Sequence, residues 1–114
     1  MPFLFLTGET LLAELAVLAF LAGGIANATG NPKIRESFNH LGFPGWWCWV
    51  TAVLEIAVAL LLAFPATRIV GACIGALIML VAIGAILRAR LPRKLPPPLI
   101  FLALLGLVVL TSQN

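Results

Sequence analysis

The sequence predicts an all-α integral membrane protein: an antiparallel four-helix bundle with a short interfacial helix between spans 1 and 2. Three observations predict it. Of 114 residues, 62% are hydrophobic and only 10% are charged, where a soluble domain carries roughly 25% charged residues. A soluble globule of this size leaves too much surface exposed to hide that apolar material. The apolar residues also fall into four runs near the roughly 20 residues a helix needs to cross a bilayer, separated by polar, Gly- and Pro-containing breaks. Finally, the basic residues gather in two of those three breaks. Together these exclude a soluble enzyme, a nucleic-acid binder and a secreted disulfide scaffold. The net charge of +3 reads as membrane topology and attraction to membrane lipids, not as affinity for nucleic acid.

The chain is read as a single four-span domain, residues 1–114. Span 1 covers about 10–28, with Thr7 as a helix cap and Glu9 in the first turn, where the helix dipole favours an anion. A start as early as Pro2 is the alternative. The first charges are acidic, Glu9 and Glu14, so this run reads as a retained span and not a cleaved leader. Gly30, Asn31 and Pro32 break the pattern. Lys33 to Leu41 then reads as an interfacial helix, with Asn31 as N-cap and Pro32 at the first helical position. Ile34, Phe38 and Leu41 share its apolar face, and Gly42 followed by Pro44-Gly45 stops it. Span 2 covers about 46–64 and enters through Trp46, Trp47 and Trp49, the aromatic belt expected at headgroup level. Pro65 ends it. Span 3, about 69–87, carries no charge. Span 4, about 97–111, is short for a crossing, so local thinning or an earlier start is expected.

Loop charge sets the orientation. Loops one and three hold Lys33, Arg35, Arg88, Arg90, Arg93 and Lys94, and the other side holds Arg68 alone. By the positive-inside rule those two loops face the cytoplasm, with the N- and C-termini outside.

Four acids are present, and two of them fall inside spans. Glu55 lies near the middle of span 2, about nine residues or roughly 13 Å from each end. An acid at that depth faces the bundle interior or a wet cavity and is a functional candidate by default. Cys48, Thr51 and Glu55 share one helical face through spacings of three and four. Glu55 is read either as a proton-carrying or ligand-binding group, or as a neutral acid making one interhelical hydrogen bond. Glu14 lies about one turn inside span 1. Its depth differs from that of Glu55 by roughly 7 Å, so one reading joins the two carboxyls and Thr51 in one intramembrane site. The other has Glu14 snorkel outward or pair with Arg68.

Asn27, His40 and Trp46 are a candidate interfacial pocket on the side of the basic loops. A single histidine offers no convergent metal or haem donor set. Gly71 and Gly75 form a GxxxG in span 3, read as packing within the bundle, with a homo-oligomer interface as the alternative. Cys48 and Cys73 lie near opposite ends of their spans, separated by roughly 15–20 Å of helical rise. A disulfide needs Cα atoms within about 7 Å, so none is expected.

The stretch Asn31 to Ala85 resembles the DoxX-like family of small bacterial membrane proteins. The resemblance is carried by Phe38-Asn39-His40-Leu41-Gly42-Phe43-Pro44 with Trp46, then Leu54-Glu55 and the leucines to Leu62, then Arg68, Gly71-Ala72, Met79 and Ala82. It implies a four-helix membrane fold and an association with quinone- or thiol-linked membrane oxidoreductases. It also implies Glu55 as the family glutamate, quinone as a cofactor, and other membrane or redox subunits as partners. Two positions depart from the pattern: Asn27 stands near where many members have lysine, and Ile86 near where many have histidine.

The expected function is therefore an accessory, non-catalytic subunit of a membrane redox system. The alternative is a small proton-coupled exporter of the small multidrug resistance type, with Glu14 as its span 1 glutamate. Against it, no tyrosine is present, and the tryptophans cluster at one interface. A membrane enzyme acting near Asn27, His40 and Trp46 lacks a strong nucleophile. The topology is testable with single cysteines engineered at either terminus: an impermeant thiol reagent should label them from outside the cell, and labelling only from the cytoplasm would overturn the orientation.

Overall fold

The computed structural model describes residues 8–112. Among them the long elements are all α-helices: α1 (Gly8–Ala28), α2 (Pro32–His40), α3 (Trp47–Ala63), α4 (Arg68–Arg88) and α5 (Pro96–Ser112). Short 3-10 turns at Pro65–Thr67 and Pro92–Lys94 precede α4 and α5. Element boundaries lie within two residues of those expected from the sequence. The lead-in Pro2 to Leu6 and the cap at Thr7 lie outside the described residues. Leu11–Ala28, Pro65–Arg88 and Pro92–Thr111 are long and apolar enough to cross a membrane. The last of these begins five residues before the expected start of span 4 because it takes in the 3-10 turn that carries Arg93 and Lys94. α5 itself has 17 residues, as does the apolar helix α3.

The ends of the helices follow from local chemistry. Asn31 accepts a 2.8 Å hydrogen bond from the Lys33 amide and caps α2, with Pro32 in its first turn. At the other end Gly42 takes φ +92°. The amide of Phe43 then reaches the Phe38 carbonyl and that of Gly42 the Asn39 carbonyl, the paired bonds of a Schellman stop. Gly30, at φ +64°, lets the chain leave α1 with its Cα against the Trp49 ring, where a Cβ would collide. Trp49 Nε1 donates to the freed Ala28 carbonyl at 3.1 Å. Between α3 and α4 the chain turns in four residues, 64–67. Thr67 Oγ1 donates to the Leu61 carbonyl at 2.7 Å and Arg68 Nε to the Leu62 carbonyl at 2.9 Å. These bonds satisfy helix-end carbonyls that would be costly to leave bare near hydrocarbon. They also use Arg68 within its own turn.

α1 packs on α3 and α5, α3 on α4, and α4 on α5. The shared core is built from Ala16 and Phe20 of α1, Val58 and Leu62 of α3, Met79 of α4, and Leu105 and Val108 of α5. Phe20 meets Phe101 edge to face at 5.0 Å. Gly75 sits where the four helices converge: a Cβ there would lie 3.0 Å from Leu105, 3.1 Å from Phe20 and 3.1 Å from Val58. Gly71 lets α4 close on α3, with a Cβ at 2.8 Å from Leu61 Cβ. Both glycines thus serve contacts within one chain. Large apolar side chains such as Leu15, Leu18, Val53, Leu60, Leu80 and Leu110 point outward, an apolar girdle that water would not tolerate and lipid matches.

Gly75→Val should lower the thermal midpoint in detergent by an amount equivalent to about 1–3 kcal/mol, the usual cost of overpacking. Gly84, with no atom within 4 Å of its missing Cβ, supplies the control. Gly84→Ala should hold or raise the midpoint, and equal losses at both positions would refute the packing assigned to Gly75.

Candidate functional site

The site begins with two glycines. Gly23 and Gly24 remove the side chains that would hold α1 away from α3. A Cβ at Gly24 would lie 2.6 Å from Ile56 Cγ1, and one at Gly23 would lie 3.1 Å from Glu55 Oε2. The room left at Gly23 is filled by the Glu55 carboxyl. One turn further along α1, Asn27 Nδ2 donates to Glu55 Oε1 at 2.7 Å. Glu55 is 6% exposed, the one buried acid among the described residues. An isolated polar group in such a place is costly, and pairing with a neutral amide reduces that cost without adding a second charge. Thr51, one turn before Glu55 on α3, donates its hydroxyl proton to the Trp47 carbonyl at 3.1 Å, which leaves its oxygen lone pairs for a ligand.

Asn27, Thr51 and Glu55 line a cavity of about 690 Å³. Its walls are apolar and aromatic, with Leu54, Ile78, Met79, Ile86 and Phe101 along its length. Phe43 stacks on Trp47 at 5.8 Å, the planes 8° apart, and meets Phe38 edge to face at 6.4 Å. This aromatic series folds α2 over the start of α3. Ser37, Arg93 and Lys94 stand at the rim, and Lys94 Nζ donates to Ser37 Oγ at 2.7 Å. That bond ties the first basic loop to the third.

The structure therefore brings together Glu55, Thr51 and Asn27, and separates the other expected site residues. Glu14 is exposed on the outer surface of α1, thirteen residues before Asn27, or roughly 20 Å along the helix. It does not share a cavity with Glu55, so the two-carboxyl site is corrected to one carboxyl and one amide. The reason is position along α1 and the face presented. The Glu55 carboxyl packs on Gly23, so Glu14 lies nine residues further along α1, roughly 14 Å away, and it is exposed. The helix ends themselves lie close in depth: Trp49, in the first turn of α3, reaches Ala28 and Gly30 at the end of α1. The interfacial trio is also separated. His40 is exposed on α2, and Trp46 lines a separate shallow depression with Arg35, Glu36 and Trp49. Neither joins Asn27. Cys48 is buried, Cys73 is exposed, and both are free thiols.

Sequence reasoning missed Trp47, Phe101, Met79 and the rim cations as parts of one site. Trp47 carried a usable signal, since it precedes Thr51 and Glu55 by four and eight residues on the same face. Phe101 and Met79 carried none, because an apolar residue in an apolar helix has no preferred face by composition.

A family model for the DoxX-like family matches residues 11–108. The chain belongs to the DoxX-like family. No curated protein matches it, and no solved structure does. Glu55 is the buried acid of the cavity, and Asn27 and Ile86 line that cavity as well. In this DoxX-like protein the group beside the glutamate is an amide, not a cation.

The Asn27–Glu55 bond predicts a stability cycle. Glu55→Gln, which keeps an acceptor oxygen, should be nearly neutral, whereas Glu55→Leu leaves the Asn27 amide unpaired and should destabilise by about 1–3 kcal/mol. Asn27→Leu combined with Glu55→Leu should recover part of that loss. Additive losses in detergent unfolding would show that the two side chains do not act as a pair.

Proposed function

We propose that this DoxX-like membrane protein is an antiparallel four-span bundle of the bacterial inner membrane, acting as an accessory subunit of a quinone-linked redox system. Its basic loops face the cytoplasm and both termini lie outside. It holds the quinone head for partner redox subunits and has no bond-making chemistry of its own. One observation carries the reading: a single tethered carboxyl, Glu55, sits on the wall of an otherwise apolar and aromatic cavity. A quinone has the complementary form, a flat ring that stacks against Phe38, Phe43 and Trp47 and oxygens that meet the Glu55 carboxyl and the Asn27 amide. A thiol-linked role for the chain itself is less well supported, because Cys48 is buried and Cys73 faces outward on another helix. The exporter alternative is also less well supported. Its acting acid, Glu14, points away from the cavity, and Arg93 and Lys94 at the rim oppose a cationic substrate.

Protein extracted in mild detergent should carry ubiquinone or menaquinone, or bind either when titrated. Glu55→Leu should weaken that binding about tenfold, the equivalent of one lost hydrogen bond of about 1.4 kcal/mol. A wild-type protein that retains no quinone and binds none on titration would overturn the reading.

A further inference from the structure

Part of the cavity lining, on α3 and α4, is also exposed on the outer surface of the molecule. α3 and α4 are tight beside their connecting turn, where Gly71 closes on Leu61 and Leu62. Toward the end that carries the basic loops the cavity occupies the space between them. Leu54 of α3 and Leu77 and Val81 of α4 line it and are also 41%, 62% and 56% exposed. These side chains face the cavity wall and the surrounding hydrocarbon at once. The rim above this slot is positive. Arg93 and Lys94 are its two formal charges, and the only acid in the lining is Glu55, deeper in and held by Asn27. The one hydrogen bond described for either rim cation is from Lys94 to a neutral hydroxyl, Ser37 Oγ.

We propose that this slot and rim form a binding site for one anionic phospholipid of the leaflet beside the basic loops. Its phosphate sits between Arg93 and Lys94. One acyl chain passes inward between α3 and α4 along Leu54, Leu77 and Val81, and the other stays in the bilayer. Basic pockets between membrane helices suit anionic headgroups, and a slot open to hydrocarbon admits a chain without passage through water. The site goes beyond the quinone reading, since it lies at the rim and the slot between α3 and α4 and needs no contact with Glu55.

The test is native mass spectrometry of protein passed through mixed micelles of phosphatidylglycerol and phosphatidylcholine. Wild type should retain one phosphatidylglycerol per chain. R93Q combined with K94Q should lower that retention about tenfold or more. R90Q removes a cation of the same loop that does not line the cavity, and it should change retention little. V81F narrows the slot without changing charge and should lower retention as well. Equal losses in R90Q and the rim double variant, retention of phosphatidylcholine as strong as that of phosphatidylglycerol, or a free fatty acid in place of phospholipid would each overturn the proposal. Glu55→Leu should leave phospholipid retention unchanged, so this site and the quinone site fail separately.

Discussion

Hydrocarbon offers a polar side chain no solvent, so an acid buried near the middle of a membrane helix is stabilised by a partner on a neighbouring helix. In this chain that requirement falls on Glu55, and the amide of Asn27 meets it. Much else follows from the pairing. The bond fixes α1 against α3. The glycines at 23 and 24 bring the two backbones close enough for the bond to form. Toward the basic loops α2 folds over the first turn of α3 through the Phe38, Phe43 and Trp47 rings. The cavity is the space left between that aromatic cover and the core around Gly75.

Two kinds of contact hold the rest. Apolar side chains from α1, α3, α4 and α5 interlock around Gly75 and Phe20. Lipid is as apolar as this core, so burial adds little to association and close fit carries the packing. At the helix ends, side chains and glycines satisfy backbone groups. Trp49 serves α1, Thr67 and Arg68 serve α3, and Gly42 ends α2. Each lets the chain turn within a few residues without baring carbonyls to hydrocarbon.

The helices were legible from the sequence because their signals are local. Runs of apolar residues, Asn31-Pro32, Gly42 and Pro65 mark boundaries to within two residues. Glu55 was legible because one acid in a long apolar run needs a reason. Its partner was not, since Asn27 and Glu55 are joined only through the relative height of two helices, which neither sequence segment encodes alone. Depth counted from each span's own ends does not say which face of a helix a residue occupies. In the structure Glu14 is exposed, and Asn27, near the end of α1, reaches Glu55 through its side chain. The close approach at Gly23 and Gly24 that allows this contact is a property of the packed molecule.

The brevity of α3 has its own consequence. Seventeen residues rise about 25 Å, whereas a typical hydrocarbon core is about 30 Å thick. α1 and α4, with 21 residues each, meet that thickness, whereas α5 has 17 α-helical residues like α3. α3 and α5 each pack on α1 and α4. Bilayer beside the two short helices must thin by a few ångströms to keep their ends wetted, while bilayer beside α1 and α4 need not. The protein thus carries a thinned lipid annulus beside α3, on the flank of Glu55, and another beside α5. A second membrane protein with an equally short helix would relieve the same deformation by sitting there. Lipid elasticity, independent of any side-chain contact, would then select where a partner subunit docks.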